Sequence, residues 1–387
     1  MMLQLGRITI IGLVSKMALN PPSVYAESLG YTLGSSSIEA DLQAGHKASS
    51  YQNSSLYYQP SLNLQSTILG GTYGLQGLYG YSLYSPEDKA DEAQSQTLKM
   101  SSFWSPTSSN TFFLNSNVKQ EDEQRGTGLT SDLENINDEL NSFEDHSANA
   151  RYVFSQSGQK SLYFLAGYAF DKKHYKSDTN LALNANLNEQ TRSLDLGYQW
   201  LEDKKIYYKY EKVKQEYPDV IDRSKNSKST ISALGITWPI SFITDLSITY
   251  GKENKKLDLN HSSLTTSYWN GVLTWSPLPH SHFTIKSAIS QKPNTKVNQT
   301  QNKESGLTVE WNYIRTPNHT ISLSAQKSIK KSIINKIKDT EKITLLNVSN
   351  KYRKYKLSAN YEIKEFSSSS KEWALYLSIG YNFEKTL

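Results

Sequence analysis

Cysteine is missing from all 387 residues, so the chain has no disulfide framework and no thiolate chemistry. That absence does not by itself locate the protein, though it suits folding in an oxidising periplasm. Long apolar runs are missing too. Outside the N-terminus nothing approaches the roughly 20 residues of a membrane-spanning helix, which argues against a helical membrane protein. No glycine-rich phosphate-binding loop is present. Hydrophobic residues make up only 37% of the chain and mean hydropathy is −0.60.

Against this scarcity stand 26 Tyr and 7 Trp. Low overall hydropathy with many aromatics is the composition of an outer-membrane barrel, whose lipid coat uses alternate residues only and whose rims collect aromatic rings. The last strand makes the point. From Trp373 to Phe383, the residues Trp373, Leu375, Leu377, Ile379, Tyr381 and Phe383 alternate with Ala374, Tyr376, Ser378, Gly380 and Asn382. One face is apolar and the other small or polar.

The N-terminus has Arg7, a modest apolar stretch from Ile8 to Leu19 interrupted by Lys16, and then Val24-Tyr25-Ala26. Residues 1–26 read as a secretory signal peptide. Residues 27–36 follow as a short periplasmic lead, residues 37–383 as the barrel, and residues 384–387 as a C-terminal tail.

Period-two alternation bounded by turn residues predicts about eighteen strands, with sixteen as the alternative. They begin near residues 37, 55, 72, 95, 110, 144, 159, 188, 204, 226, 241, 262, 281, 303, 318, 341, 354 and 371. The expected fold is all-β, a transmembrane antiparallel up-and-down barrel. Connections after even strands are short, and those after odd strands are mostly longer and polar. Short periplasmic turns and longer extracellular loops are the habit of bacterial barrels, which puts both termini in the periplasm.

Nearly every even strand ends on an aromatic just before its short turn: Trp104, Phe154, Trp200, Trp238, Trp275, Tyr313, Tyr352 and Phe383. These are the expected periplasmic aromatic girdle. The parity that sends such residues to lipid sends their neighbours to the lumen, because a Lys or Arg facing lipid at the midplane costs about 2 to 4 kcal/mol. The candidate lumen residues are Glu39, Asp41, Lys99, Arg151, Asp195, Lys209, Glu211, Asp245, Lys286, Glu310, Lys356 and Glu362. Both signs are present, which favours a hydrated path for polar solute or a crosslinked wall over a filter of one sign. Inward aromatics such as Tyr57, Phe113, Tyr207 and Tyr376 suit stacking on sugar rings or simple space filling.

Charge is unevenly spread. Residues 1–150 hold 16 acidic and 7 basic residues, and residues 151–387 hold 21 and 35. The basic residues are scattered over turns and loops rather than set along a helix, so no nucleic-acid partner is expected. The segment 120–145 carries nine acidic residues against Arg125, and 327–342 carries six Lys and two acids. The first reads as a solvated face beside lipopolysaccharide; the second suits anionic headgroups, an acidic glycan or solubility alone.

No catalytic, cofactor-binding or metal site is expected. His261-Ser262-Ser263 places a His two residues from a Ser, the spacing of outer-membrane phospholipases, but with no third group to orient the His. His280-Ser281-His282 lies in a turn without carboxylate or thiolate companions.

Three motifs carry a family resemblance: Arg125-Gly126-Thr127-Gly128 leading into a long loop, Leu-x-Leu-Gly-Tyr strands such as Leu194 to Tyr198, and a repeated turn at Trp104-Ser105-Pro106, Trp238-Pro239 and Trp275-Ser276-Pro277. With these the chain resembles the exopolysaccharide-associated outer-membrane proteins of the β-barrel porin 2 family. The resemblance implies a role in export or handling of exopolysaccharide or capsular polysaccharide. Polysaccharide and its export components then join outer-membrane lipid, lipopolysaccharide and the outer-membrane assembly machinery as expected partners. The alternatives are a general or solute-specific porin and a plugged accessory barrel.

Overall fold

The computed structural model describes residues 33–49, 52–86, 92–123, 141–155, 160–177, 179–201, 204–220, 225–258, 263–292, 302–316, 318–332, 338–352, 355–366 and 371–386. Its first six strands are β1 (Leu33–Ser49), β2 (Gln52–Leu69), β3 (Tyr73–Pro86), β4 (Ala93–Thr107), β5 (Asn110–Asp122) and β6 (Ser142–Phe154). The next six are β7 (Ser161–Tyr175), β8 (Leu187–Leu201), β9 (Lys204–Glu216), β10 (Ser227–Ser241), β11 (Thr244–Leu257) and β12 (Ser263–Leu278), with a single helical turn α1 (Asn180–Leu183) between β7 and β8. The last six are β13 (Ser281–Lys292), β14 (Asn302–Thr316), β15 (His319–Ser332), β16 (Lys338–Tyr352), β17 (Tyr355–Phe366) and β18 (Lys371–Thr386).

Each strand pairs antiparallel with its chain neighbours, and β18 closes on β1, so the 18 strands form one barrel without a free edge. Closure satisfies every ladder without water, the condition for crossing a bilayer with strands. Because strand β18 continues to Thr386, with Ser37 opposite Glu384 and Ser35 opposite Thr386, residues 384–386 are part of the barrel wall rather than a tail. Strand β1 likewise begins at Leu33, inside the expected lead. Residues 1–26, expected as a signal peptide, lie outside the described residues.

Antiparallel register carries face parity from strand to strand around the closed sheet. The outer face shows rows of exposed apolar side chains, such as Leu162 at 71%, Leu234 at 63% and Leu377 at 64% exposure. The opposite parity holds buried polar groups including Gln215, Ser227, Ser229, Glu253 and Lys255. All eight aromatics expected in the girdle take outer-face positions at the short-turn end by this register. Residues that open the odd strands join them. Trp104 stacks on Phe112 at 5.4 Å, Phe112 meets Tyr152 at 4.9 Å, and Trp275 stacks on Phe283 at 5.2 Å, with Trp311 next at 6.2 Å.

The Trp-Pro turns have a physical cause. Proline cannot donate to a ladder and is tolerated in strands at bulges or edges. Register shifts fall between Trp104 and Thr107, between Pro239 and Ser241, and between Trp275 and Leu278. Each Trp-Pro turn therefore carries an irregularity at or beside its proline, after which one more pair, Thr107 with Asn110, Ser241 with Thr244 and Leu278 with Ser281, closes the hairpin.

Candidate functional site at the inner wall and mouth

The twelve ionisable residues singled out by parity all occupy the inner face by register. Several meet one another. Asp195 stands directly opposite Lys209, whose Nζ lies 2.8 Å from Glu211. Lys286 Nζ donates to both Glu310 oxygens at 3.0 and 3.2 Å. Glu362 lies 3.2 Å from Lys364, and Asp41 and Lys356 flank Gly380 from the two sides. The Arg151 guanidinium sits 4.8 Å from the Phe113 ring centroid, and Thr274 donates to Asp245 at 3.4 Å. Glu39 faces Asn382, and Lys99 is set between Leu78 and Asn117. Neither sign owns the wall.

Further inner-wall groups, Glu189, Lys205 and Lys255 among the charged ones, share this parity but were not among the twelve. Gln215 accepts from Lys255 Nζ at 3.0 Å and from Ser227 Oγ at 3.1 Å, while its own amide donates to Glu189 at 2.8 Å. Lys255 is 2% exposed, so this network holds a buried cation with hydrogen-bond partners rather than leaving it orphaned. Lys205 lies 4.1 Å from the Tyr163 ring, and Tyr163 is 6.1 Å from Tyr207. The signal for these was present: alternate polar residues on β9 and β11, including the uncharged ones.

Tyr207 shows how the wall is shaped. It stands opposite Gly197 on one side and Gly235 on the other, and its hydroxyl is 3.0 Å from Thr249 Oγ1 two strands away. The ring lies over Gly235, where an added Cβ would overlap it, whereas one added at Gly197 would meet the β9 main chain at Ile206 and Tyr207. We expect Gly235→Ala to cost about 1 to 3 kcal/mol by overpacking. In a Tyr207→Ala background the same glycine substitution should cost almost nothing, so a double-mutant cycle in urea unfolding tests the contact directly.

The second part of the site is the mouth at the long-loop end. The β7–β8 connection bends inward: Ala182 is fully buried and, with Ala185, packs on Phe143 and Tyr175 of the inner face. Thr179 caps the helical turn, accepting from Ala182 N at 3.3 Å, as N-cap threonines do. The bend is fastened at both sides. Asn186 Oδ1 accepts from Tyr175 N at 2.7 Å and its Nδ2 donates to Asp219 at 2.6 Å. Lys225 Nζ donates to the Asn184 carbonyl at 2.9 Å, so the β9–β10 connection braces it. Burial, with Glu189 nearby, pushes the Tyr217 hydroxyl of that connection well above the usual tyrosine range. Below the bend, Tyr175 Oη donates to Glu123 at 2.6 Å and Lys173 lies 3.9 Å from the Phe143 ring centroid.

The acidic loop residues 124–140, Arg125-Gly126-Thr127-Gly128 and His261 lie outside the described residues. His282 Nδ1 is bonded to Ser276 Oγ at 2.8 Å, which accounts for that histidine as part of a turn. Among the described residues no group of three or more acidic or His side chains is arranged for a metal.

A closed 18-strand barrel with an apolar outer face, a polar inner face and short turns at one end is a porin-like barrel of the Gram-negative outer membrane. The fold is similar to the crystal structure of Pseudomonas aeruginosa OccK2 (OpdF), at TM-score 0.51 and 9% identity over 91% of this chain and 98% of that one. It is also similar to Acinetobacter baumannii OccAB4, at TM-score 0.50 and 11% identity over 95% and 100% of the two chains. No family model matches the chain and no curated protein matches it in sequence. The motif resemblance to β-barrel porin 2 therefore has no family model behind it, and the similarity to solved structures is one of barrel fold.

Proposed function

We propose that the protein is a passive channel for small hydrated solutes across the outer membrane, with the β7–β8 segment narrowing its mouth. The observation that carries this is the enclosure of a polar, mixed-charge inner face by 18 strands, since barrels of 16 to 18 strands leave an aqueous channel. In this reading the twelve named ionisable residues, with others of the inner face, line the path, and their weak, scattered contacts let a solute enter and leave. The outer-face aromatics hold the barrel at the periplasmic headgroups, and its partners are lipid, lipopolysaccharide and the assembly machinery.

Single-channel recording of the refolded chain in a planar bilayer tests it. Ohmic conductance indifferent to surface-polysaccharide fragments supports the small-solute channel. Conductance interrupted by those fragments favours the export role implied by the motif resemblance, and silence favours a plugged barrel. Glu310→Gln gives a sharper test, because it leaves the Lys286 charge without its carboxylate. The reversal potential in a salt gradient should move toward anion preference; an unchanged value would remove Glu310 from the ion path.

A further inference from the structure

The outer wall carries a concentration of like charge where lipid should be. On the outer face of β9, β10 and β11, Lys214 stands directly opposite Lys228, and Lys228 directly opposite Lys256. One step toward the membrane, Arg192 stands opposite Lys212, and Lys252 extends the patch on β11. Like charges facing each other across strands are destabilising, so this arrangement calls for an anionic counterpart. The acids within ion-pair distance among the described residues are Glu216, 2.7 Å from Lys214, and Asp258, 3.9 Å from Lys228. Two carboxylates face six cations.

Height identifies what faces them. Lys228 lies ten residues along β10 from Trp238 of the aromatic row, or about 33 Å of strand at roughly 3.3 Å per residue. With a strand tilt of about 40°, this is about 25 Å of height, the thickness of the apolar band of such barrels. Between them the outer face of β10 carries exposed Leu234. Lys214, Lys228 and Lys256 therefore stand at the headgroup level of the outer leaflet, with Arg192, Lys212 and Lys252 below them, and the row Lys214–Lys228–Lys256 spans two inter-strand spacings, about 10 Å.

We infer that this patch binds the phosphorylated disaccharide headgroup of an outer-leaflet glycolipid, lipid A. Lysine is a point-charge phosphate ligand, and several in one row suit a headgroup bearing more than one phosphate. The inference rests on the outer-membrane placement and is independent of conduction.

The test is binding of the full refolded chain in neutral detergent to lipid A, to the same lipid stripped of phosphate, to phosphatidylglycerol and to inorganic phosphate, read by native mass spectrometry and thermal unfolding. Lipid A should bind, and the triple variant Lys214→Gln, Lys228→Gln, Lys256→Gln should bind it on the order of a hundredfold more weakly. The triple Lys→Arg variant should keep binding. Without lipid the Gln variant should unfold at a higher temperature than the wild type, because the facing charges are gone, and lipid A should reverse that order. Wild-type chain that takes the phosphate-free lipid equally well overturns the inference. So does a folded Gln variant with undiminished binding, or equal affinity for phosphatidylglycerol or inorganic phosphate. Should the Gln variant fail to fold, as seen from heat-dependent gel migration, the lipid series on wild type and the Arg variant still decides.

Discussion

Deletion of residues 177–185 should raise single-channel conductance, on the order of twofold, and increase open-channel noise, as expected when a constriction of a hydrated path is removed. The segment is held inside the mouth by the packing of Ala182 and Ala185 on Phe143 and Tyr175 and by Asn186. A single substitution reaches the same end more gently. Asn186→Ala strips the Tyr175 amide and the Asp219 carboxylate of their partner, at about 1 to 3 kcal/mol for groups left unsatisfied. That loss falls on the mouth rather than on the ladder, so the barrel should keep its unfolding midpoint while the bend spends more time open. Planar-bilayer traces would show this as flicker between two conductance levels. Equal conductance and noise in wild type, deletion and Asn186→Ala would mean that the segment does not restrict the path.

The barrel was largely legible in the sequence because lipid on one side imposes alternation over the whole membrane span. Strands beginning at Asn110, Lys204, Ser281 and Lys371 start where the pattern places them. The pattern fades where strands rise above the bilayer and both faces are polar. Strand β16 begins at Lys338 rather than near residue 341 for this reason, its first residues being Lys338-Asp339-Thr340-Glu341. The C-terminal Glu384, Lys385 and Thr386 were hidden by the same polarity, although they pair with β1.

Parity reveals the side of the wall but not the height or the neighbour. Glu310 and Lys356 carry opposite charge on one face, yet Glu310 is met by Lys286 and Lys356 lies beside Gly380. Such pairing is set by stagger between strands, which alternation does not encode. The bend at the mouth was less legible still. The connection after β7 falls among the longer polar ones expected after odd strands, whereas β7 runs on to Tyr175 and Ala182 is buried against it. A small apolar cluster ending in Asn186 was its only mark, and four residues of helix are too few for a periodic signal.

Leu234→Lys should cost about 2 to 4 kcal/mol, the penalty for a cation on the lipid face at mid-bilayer. Leu234 lies on the outer face of β10, four residues from Trp238 and six from Lys228, so its charge would sit near the middle of the apolar band, where snorkelling reaches neither headgroup level. Asn270→Lys is the matched control. It lies on the inner face of β12, five residues from Trp275 and thus at similar depth, with Thr249 and Ala288 as cross-strand neighbours. Water in the lumen would solvate that lysine, so its cost should stay within about 0.5 kcal/mol, as for a substitution away from packed features. Urea unfolding in lipid vesicles, read by tryptophan fluorescence, gives both values under one condition. A large loss for Leu234→Lys beside a negligible one for Asn270→Lys requires lipid outside and water inside at the same height. Equal losses would mean that the inner face is dry at this level, and the path would be closed there whatever the mouth segment does.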